Sequence, residues 1–116
     1  MTLATHPNFT VREQTIGREA APLLVIDNVF ATPLLQSPFE LGATCVVYSA
    51  TKHIDGQGRC LGGVILGSEQ FINDNIHNLL RQTGPALSPF NAWVLLKALE
   101  TLELRVEKQT ANAALI

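Results

Sequence analysis

Three short apolar runs constrain this chain more than anything else in it: PLLVIDN from Pro22 to Asn28, TCVVYS from Thr44 to Ser49, and GGVILG from Gly62 to Gly67. Each is dense in Val, Ile or Leu and bounded by turn formers, so each reads as a buried strand. Between the first two lies TPLLQSPFELG, with Thr32 placed as an N-cap, Pro33 at the first helical position and Gly42 as a stop. Pro38 shortens or interrupts that helix. Strand, helix, strand in this order predicts a right-handed parallel crossover and an α/β fold.

The rest of the chain reads as helix. SEQFINDNIHNLLRQTG opens on Ser68 as cap, carries Glu69 in its first turn and stops at Gly84. Phe71, Ile72, Ile76, Leu79 and Leu80 recur at helical spacing and give it one apolar face. From Ser88 and Pro89 onward, Ala, Leu, Glu and Lys dominate, which predicts one long C-terminal helix of roughly 25 residues, nearly 40 Å at about 1.5 Å per residue. The first twenty residues are polar with weak periodicity, a frayed arm or a short helix around Val11 to Ala20.

Composition narrows the function classes. Net charge is −2 with scattered basic residues, which gives no nucleic-acid surface. The apolar runs are too short to span a bilayer, and the N-terminus lacks a basic cluster followed by an apolar core, so a cytoplasmic, membrane-free protein is expected. A mean hydropathy of +0.20 with 16% charged residues leaves apolar surface for a partner, another domain or further chain. Cys45 and Cys60 match no zinc spacing and no metal is expected; Cys45 reads as a buried hydrophobe and Cys60 as partly exposed loop filler.

The chemistry gathers at strand ends. Asp27 closes the first strand, at the carboxyl end where open α/β sheets place ligand groups. Ser49, Thr51 and Lys52 stand just past the second, and the glycine-rich DGQGRCLGG follows at once. Two hydroxyls, glycine backbone and an amine make an anion site with a nucleophile or charge partner beside it, although the Walker order is absent. The same residues also read as ordinary turn formers, with Asp27 capping a turn and Lys52 solvated. His53 is expected to point away from the site, and His6 and His77 to lie on the surface. Phe90 and Trp93 read as core or interface anchors, and Arg81 and Gln82 as the rim of the site.

The string VIDNVFATPLLQSPFELGATCVVYSATKHIDGQGRCLGG, followed by LSPFNAW and LETL, resembles the lysine-bearing region of the Cys/Met-metabolism, cystathionine γ-synthase-like family of pyridoxal-phosphate (PLP) enzymes. The motifs arrive in order from about Leu23 to Arg105, and DGQGR is most similar to the O-succinylhomoserine sulfhydrylase branch. The resemblance implies a partial aspartate-aminotransferase-like large domain with a mostly parallel sheet, residues 1–21 being a poorly matched arm and 22–116 the incomplete PLP-lysine part. It implies that Lys52 holds PLP as a Schiff base and moves protons, that Asp27 pairs with the pyridinium nitrogen, and that Ser49 and Thr51 bind the phosphate. The implied reaction is γ-replacement on an O-acylhomoserine in methionine biosynthesis, within a homo-oligomer or with a complementary chain.

The sequence also departs from the family pattern. Thr44 stands where Asp is usual and Val29 where Thr is common. The ring-stacking aromatic, the glycine-rich phosphate helix, the neighbouring subunit's tyrosine and arginine and the carboxylate-binding arginine have no counterparts, and Tyr48 is the only tyrosine. A fragment is therefore expected, with weak PLP binding and negligible turnover alone. The alternative is a truncated or split piece acting only by assembly.

Overall fold

Val and Ile favour extended backbone, and all three apolar runs are strands in the computed structural model, which describes residues 23–116 and the backbone of 12–14. The four strands are β1 (Arg12–Gln14), β2 (Leu23–Asp27), β3 (Cys45–Ser49) and β4 (Gly63–Gly67). They form one sheet in the order β1-β2-β3-β4. β2 and β3 run parallel with Asp27 opposite Val47, whereas β1 on β2 and β4 on β3 are antiparallel. The part of the sheet described here is therefore mixed, with one parallel pair, rather than mostly parallel. β4 reverses because the stretch 50–62 between it and β3 coils into a tight turn and loop instead of a crossover helix. The strand at Arg12–Gln14 excludes a helix there, and the rest of the expected arm helix lies outside the described residues.

The crossover from β2 to β3 holds a four-residue helix α1 (Thr32–Leu35) and a 3-10 turn at Pro38–Leu41. Pro38 interrupts the segment as expected, and Gly42 closes it at φ 93°, a conformation only glycine takes freely. Thr32 is the first helical residue rather than the cap, and it sits at φ 59°, costly for a β-branched side chain. Its hydroxyl accepts the Leu34 N–H at 3.2 Å, which offsets part of that cost.

Ser68 caps the following helix by accepting the Phe71 N–H at 3.1 Å, and Gly84 ends it at φ 80°. The helix comprises α2 (Glu69–Phe71), a wider π-wound stretch Ile72–His77, and α3 (Asn78–Thr83). Its apolar face covers only part of its area: Phe71, Ile72 and Ile76 are half-buried, whereas Leu79 and Leu80 are exposed.

The long C-terminal helix is broken in two, α4 (Pro89–Leu99) and α5 (Leu102–Ala113). The cause lies in competition for one carbonyl. Ala98 C=O accepts from the Thr101 N–H at 3.2 Å, from the Thr101 hydroxyl at 3.3 Å and from the Arg105 guanidinium at 2.9 Å, so the regular ladder does not continue through Thr101. The break brings Leu102 and Val106 to buried positions in line with Val94, Leu95 and Ala98. Val94 and Leu95 pack with Ala50 and Cys60 into one cluster, flanked by Ile54 and Val64. Val94 and Leu95 each contribute about 1.5–3 kcal/mol by leaving water. Cys60, expected partly exposed, is buried here because the loop folds it under onto α4, and Cys45 is buried in β3. Phe90 and Trp93, also on α4, have ring centroids 6.2 Å apart with planes tilted by 33° and are exposed, so they are not core residues of this chain.

Candidate active site

Because β2 and β3 are adjacent and parallel, their carboxyl ends open on one edge of the sheet. Asp27 ends β2 and Ser49 ends β3, with Thr51 and Lys52 in the turn just past it. The four residues singled out from sequence therefore stand at the same edge.

Asp27 is exposed, and one carboxylate oxygen accepts the Val29 N–H at 3.2 Å. It does cap the next turn, and its second oxygen has no partner among the described residues. Asn28, which sequence reasoning passed over, is the anchor beneath it. It is 2% exposed; its N–H donates to Val47 C=O at 3.0 Å, extending the parallel ladder by one residue. Its side-chain amide nitrogen lies 3.0 Å from Thr32 C=O, 3.2 Å from Gln36 C=O and 3.0 Å from the Tyr48 hydroxyl, three acceptors sharing two hydrogens, while its amide oxygen is buried with no partner among the described residues. One amide thus ties β2, the α1 turn and β3 together directly behind the aspartate. The available signal was the position itself, a polar residue following a strand-ending Asp.

The lysine turn is built differently. Residues Ala50–Ile54 form a wide π-type turn closed by the Asp55 N–H on Ala50 C=O at 2.8 Å. Lys52 has φ −88° and ψ −117°, outside the helical region, and its side chain is exposed with no hydrogen-bond partner among the described residues. Ser49 is half-buried, and its hydroxyl also has no partner among them. Thr51 is committed to Gly62: its hydroxyl accepts the Gly62 N–H at 3.1 Å and donates to Gly62 C=O at 3.4 Å. A Cβ at Gly62 would lie 3.0 Å from Leu95 Cδ1 and 3.4 Å from Ala50 Cβ, so a larger residue there would press on the cluster under α4. His53 meets Phe30 in an edge contact, with ring centroids 6.3 Å apart.

The loop after the lysine turn is locked by a charge pair the sequence did not announce. Asp55 is fully buried; burial pushes its carboxyl up, and the Arg59 N–H, guanidinium hydrogen bonds and charge outweigh this and hold it below the usual carboxylate value. The Arg59 Nε–Oδ1 distance is 2.8 Å. Burial alone raises the Cys45 thiol. Arg81 and Gln82 are exposed on α3. No cluster of His, Cys, Asp or Glu fit to hold a metal occurs among the described residues.

The two departures from the family motif fall at positions the fold tolerates. Thr44 lies at the amino end of β3, where it pairs with Leu24 through its N–H at 2.9 Å and its hydroxyl at 3.3 Å, away from the site. Val29 contributes its backbone N–H to Asp27, which any residue but proline can do.

The parallel pair thus presents an aspartate and a lysine at the carboxyl edge, where open α/β sheets place ligand-binding groups. The chain belongs to the Cys/Met metabolism PLP-dependent enzymes, whose family model matches residues 11–116. It is 59% identical over 98 residues to the O-succinylhomoserine sulfhydrylase of Mycobacterium tuberculosis, covering 84% of this chain and 24% of that protein. Against the Pseudomonas aeruginosa O-succinylhomoserine sulfhydrylase the identity is 50%, with the same coverage. Among solved structures, Corynebacterium glutamicum metB superposes with a TM-score of 0.67 at 36% identity, over 71% of this chain and 21% of that one. Cystathionine γ-lyase from Lactobacillus plantarum, solved with L-serine, gives 0.66 at 33%, over 71% and 22%. The chain spans about a quarter of the length of the curated relatives it matches. The shared fold is the aspartate-aminotransferase-like α/β fold implied by the motifs.

The donor set fits PLP on its chemistry. A carboxylate with an oxygen to spare suits a protonated ring nitrogen, a free hydroxyl suits a phosphate oxygen, and an exposed amine suits an aldehyde.

Proposed function

We propose that this chain supplies the lysine, the ring-nitrogen carboxylate and the phosphate-side hydroxyls of a PLP enzyme acting on sulfur amino acids. In this reading the whole enzyme is a transferase of the O-succinylhomoserine sulfhydrylase type, replacing the γ-substituent of an O-acylhomoserine on the way to methionine. The observation that carries it is the placement of Asp27 and Lys52 at the carboxyl ends of two adjacent parallel strands. Likeness to sulfhydrylases at 50–59% identity supports the substrate class.

PLP bound at this edge supplies an electron sink for a carbanion beside the substrate's amino group. Asp27 would offer its carboxylate to the ring nitrogen, with one oxygen on the Val29 N–H and the backbone beneath it fixed by Asn28. Ser49 offers its hydroxyl directly. Thr51 reaches an anion by turning its proton away from the long 3.4 Å bond to Gly62 C=O, while Gly62 N–H still anchors its oxygen. Lys52 Nζ, exposed and without partners among the described residues, takes and returns protons as base and then acid. The two buried free cysteines suit a cytoplasmic setting, where thiols stay reduced.

The test is an absorbance spectrum of the purified chain with added PLP, beside Lys52→Ala, followed by borohydride and peptide mapping. A cofactor band in the wild type only, with the added mass on Lys52, is expected. Identical spectra would mean that the edge is not assembled into a cofactor site in this chain.

A second reading, a non-catalytic piece that works only by assembling with another chain, draws on the apolar surface. Phe30, Leu61, Phe90 and Trp93 are 78%, 78%, 69% and 56% exposed. Under that reading, PLP binding and turnover are both absent, and a complementary chain copurifies at fixed stoichiometry.

A further inference from the structure

Lys52 sits at the middle of a turn that two backbone hydrogen bonds close on its C-terminal side. The Asp55 N–H reaches Ala50 C=O at 2.8 Å and the Gly56 N–H reaches Lys52 C=O at 2.7 Å. The non-helical backbone at Lys52 breaks any regular ladder between them. The carbonyls of His53 and Ile54, immediately after the lysine, are taken instead by a side chain from the far end of the chain. Arg105 on α5 donates through Nη1 to His53 C=O at 2.7 Å and through Nη2 to Ile54 C=O at 3.2 Å.

The same guanidinium is fixed at its other side. Nη2 also donates to Ala98 C=O at 2.9 Å, and Nε donates to the Thr101 hydroxyl at 3.2 Å. Arg105 pairs with no carboxylate among the described residues; its donors go to main-chain carbonyls and one hydroxyl. A planar fork with fixed donor directions can span two successive carbonyls and a third on another element, which a single ammonium cannot. Gly56 leaves room for it: a Cβ there would lie 2.0 Å from Nη1.

We propose that Arg105 is a positioning residue for Lys52, setting the direction of the lysine turn from the break between α4 and α5. The link to catalysis rests on the reading of Lys52 as the cofactor lysine. Nothing in the contacts puts Arg105 against a reacting atom; it acts through the backbone that carries the amine. The helix break is part of the device, because a straight helix through Thr101 would keep the Ala98 carbonyl in the ladder and deny Arg105 one of its anchors.

The test compares the full chain with Arg105→Ala and Arg105→Lys by amide hydrogen exchange. Loss of the fork should speed exchange at Asp55 and Gly56 by about tenfold while the β2 and β3 amides stay unchanged, with Arg105→Lys in between. Unchanged exchange at Asp55 and Gly56, or equal acceleration at Ile26 and Val46, would overturn the proposal. If Arg105→Ala does not fold, Arg105→Lys decides alone: behaviour indistinguishable from wild type overturns it. A second readout is the borohydride-fixed PLP mass on Lys52 relative to Lys97 and Lys108. The Lys52 preference should fall at least several-fold in Arg105→Ala and recover partly in Arg105→Lys. A preference that survives in Arg105→Ala despite faster exchange would also overturn positioning. A wild type with no preference for Lys52 would instead sink the cofactor-lysine reading, leaving exchange to decide the role of Arg105.

Discussion

At the scale of single residues, two buried polar side chains hold the site's frame. Asn28 shares its two amide hydrogens among three acceptors, so Asn28→Ala leaves the Thr32 and Gln36 carbonyls short of a donor behind Asp27. Leaving buried acceptors unmet costs about 2–3 kcal/mol, and Tyr48→Phe, which removes only one acceptor, should cost about 1 kcal/mol or less. Urea midpoints for both variants check the order, and a smaller loss for Asn28→Ala would remove its central place. Asp55 contributes through pH. Its folded carboxyl lies below the ordinary value, so the unfolded chain binds the proton more readily. The stability it adds is full above the unfolded pKa of about 4 and is lost as pH falls through the lower folded value. Midpoints measured from pH 6 down to pH 3 should therefore fall more steeply for wild type than for Asp55→Asn; parallel curves would show that the Arg59 pairing adds nothing.

Among the elements, the segment between β3 and β4 shows what glycine does at different places. Gly56 and Gly58 both have positive φ, 71° and 66°, but only Gly56 lies against another side chain. Gly58→Ala should cost about 1 kcal/mol for the left-handed backbone alone. Gly56→Ala should cost clearly more, because its Cβ and Arg105 Nη1 claim the same space. Thermal denaturation of the two variants side by side makes the comparison, and equal costs would mean that the guanidinium moves aside freely. Much of this scale was legible beforehand. The strands at β2, β3 and β4, the interruption at Pro38 and the stops at Gly42 and Gly84 follow from β-branched runs and from residues with restricted or permissive backbones. The break at Thr101 was not, since its cause is a guanidinium held by carbonyls some fifty residues away in sequence.

For the whole molecule, the main feature is how much apolar surface the fold leaves uncovered. Beyond Phe30, Leu61, Phe90 and Trp93, the edge strand β4 exposes Ile65 and Leu66 at 41% each. Leu61, Ile65, Ile72, Ile76, Leu80 and Leu87 line one open apolar groove beside it. An edge strand next to an apolar groove invites association. Sedimentation velocity over a micromolar concentration series should show self-association, reduced in a Leu61→Glu, Leu80→Glu double variant; a concentration-independent monomer would contradict this. No helix among the described residues is long and apolar enough to cross a membrane.

The sequence by itself determined the α/β class, the chain positions of β2, β3 and β4 and the family, because these rest on local backbone preference and on motifs read in order. It also named Asp27, Ser49, Thr51 and Lys52 as candidates, since their residue types stand at the ends of recognisable strands. The strand β1, the reversal of β4, the turning of Thr51 toward Gly62, the burial of Cys60, the Asp55–Arg59 lock, the Asn28 hub and the reach of Arg105 were decided by tertiary structure. Each depends on which distant backbone carbonyl or side chain arrives within about 3 Å, and a hydrogen bond's partner is a matter of space rather than of spacing along the chain.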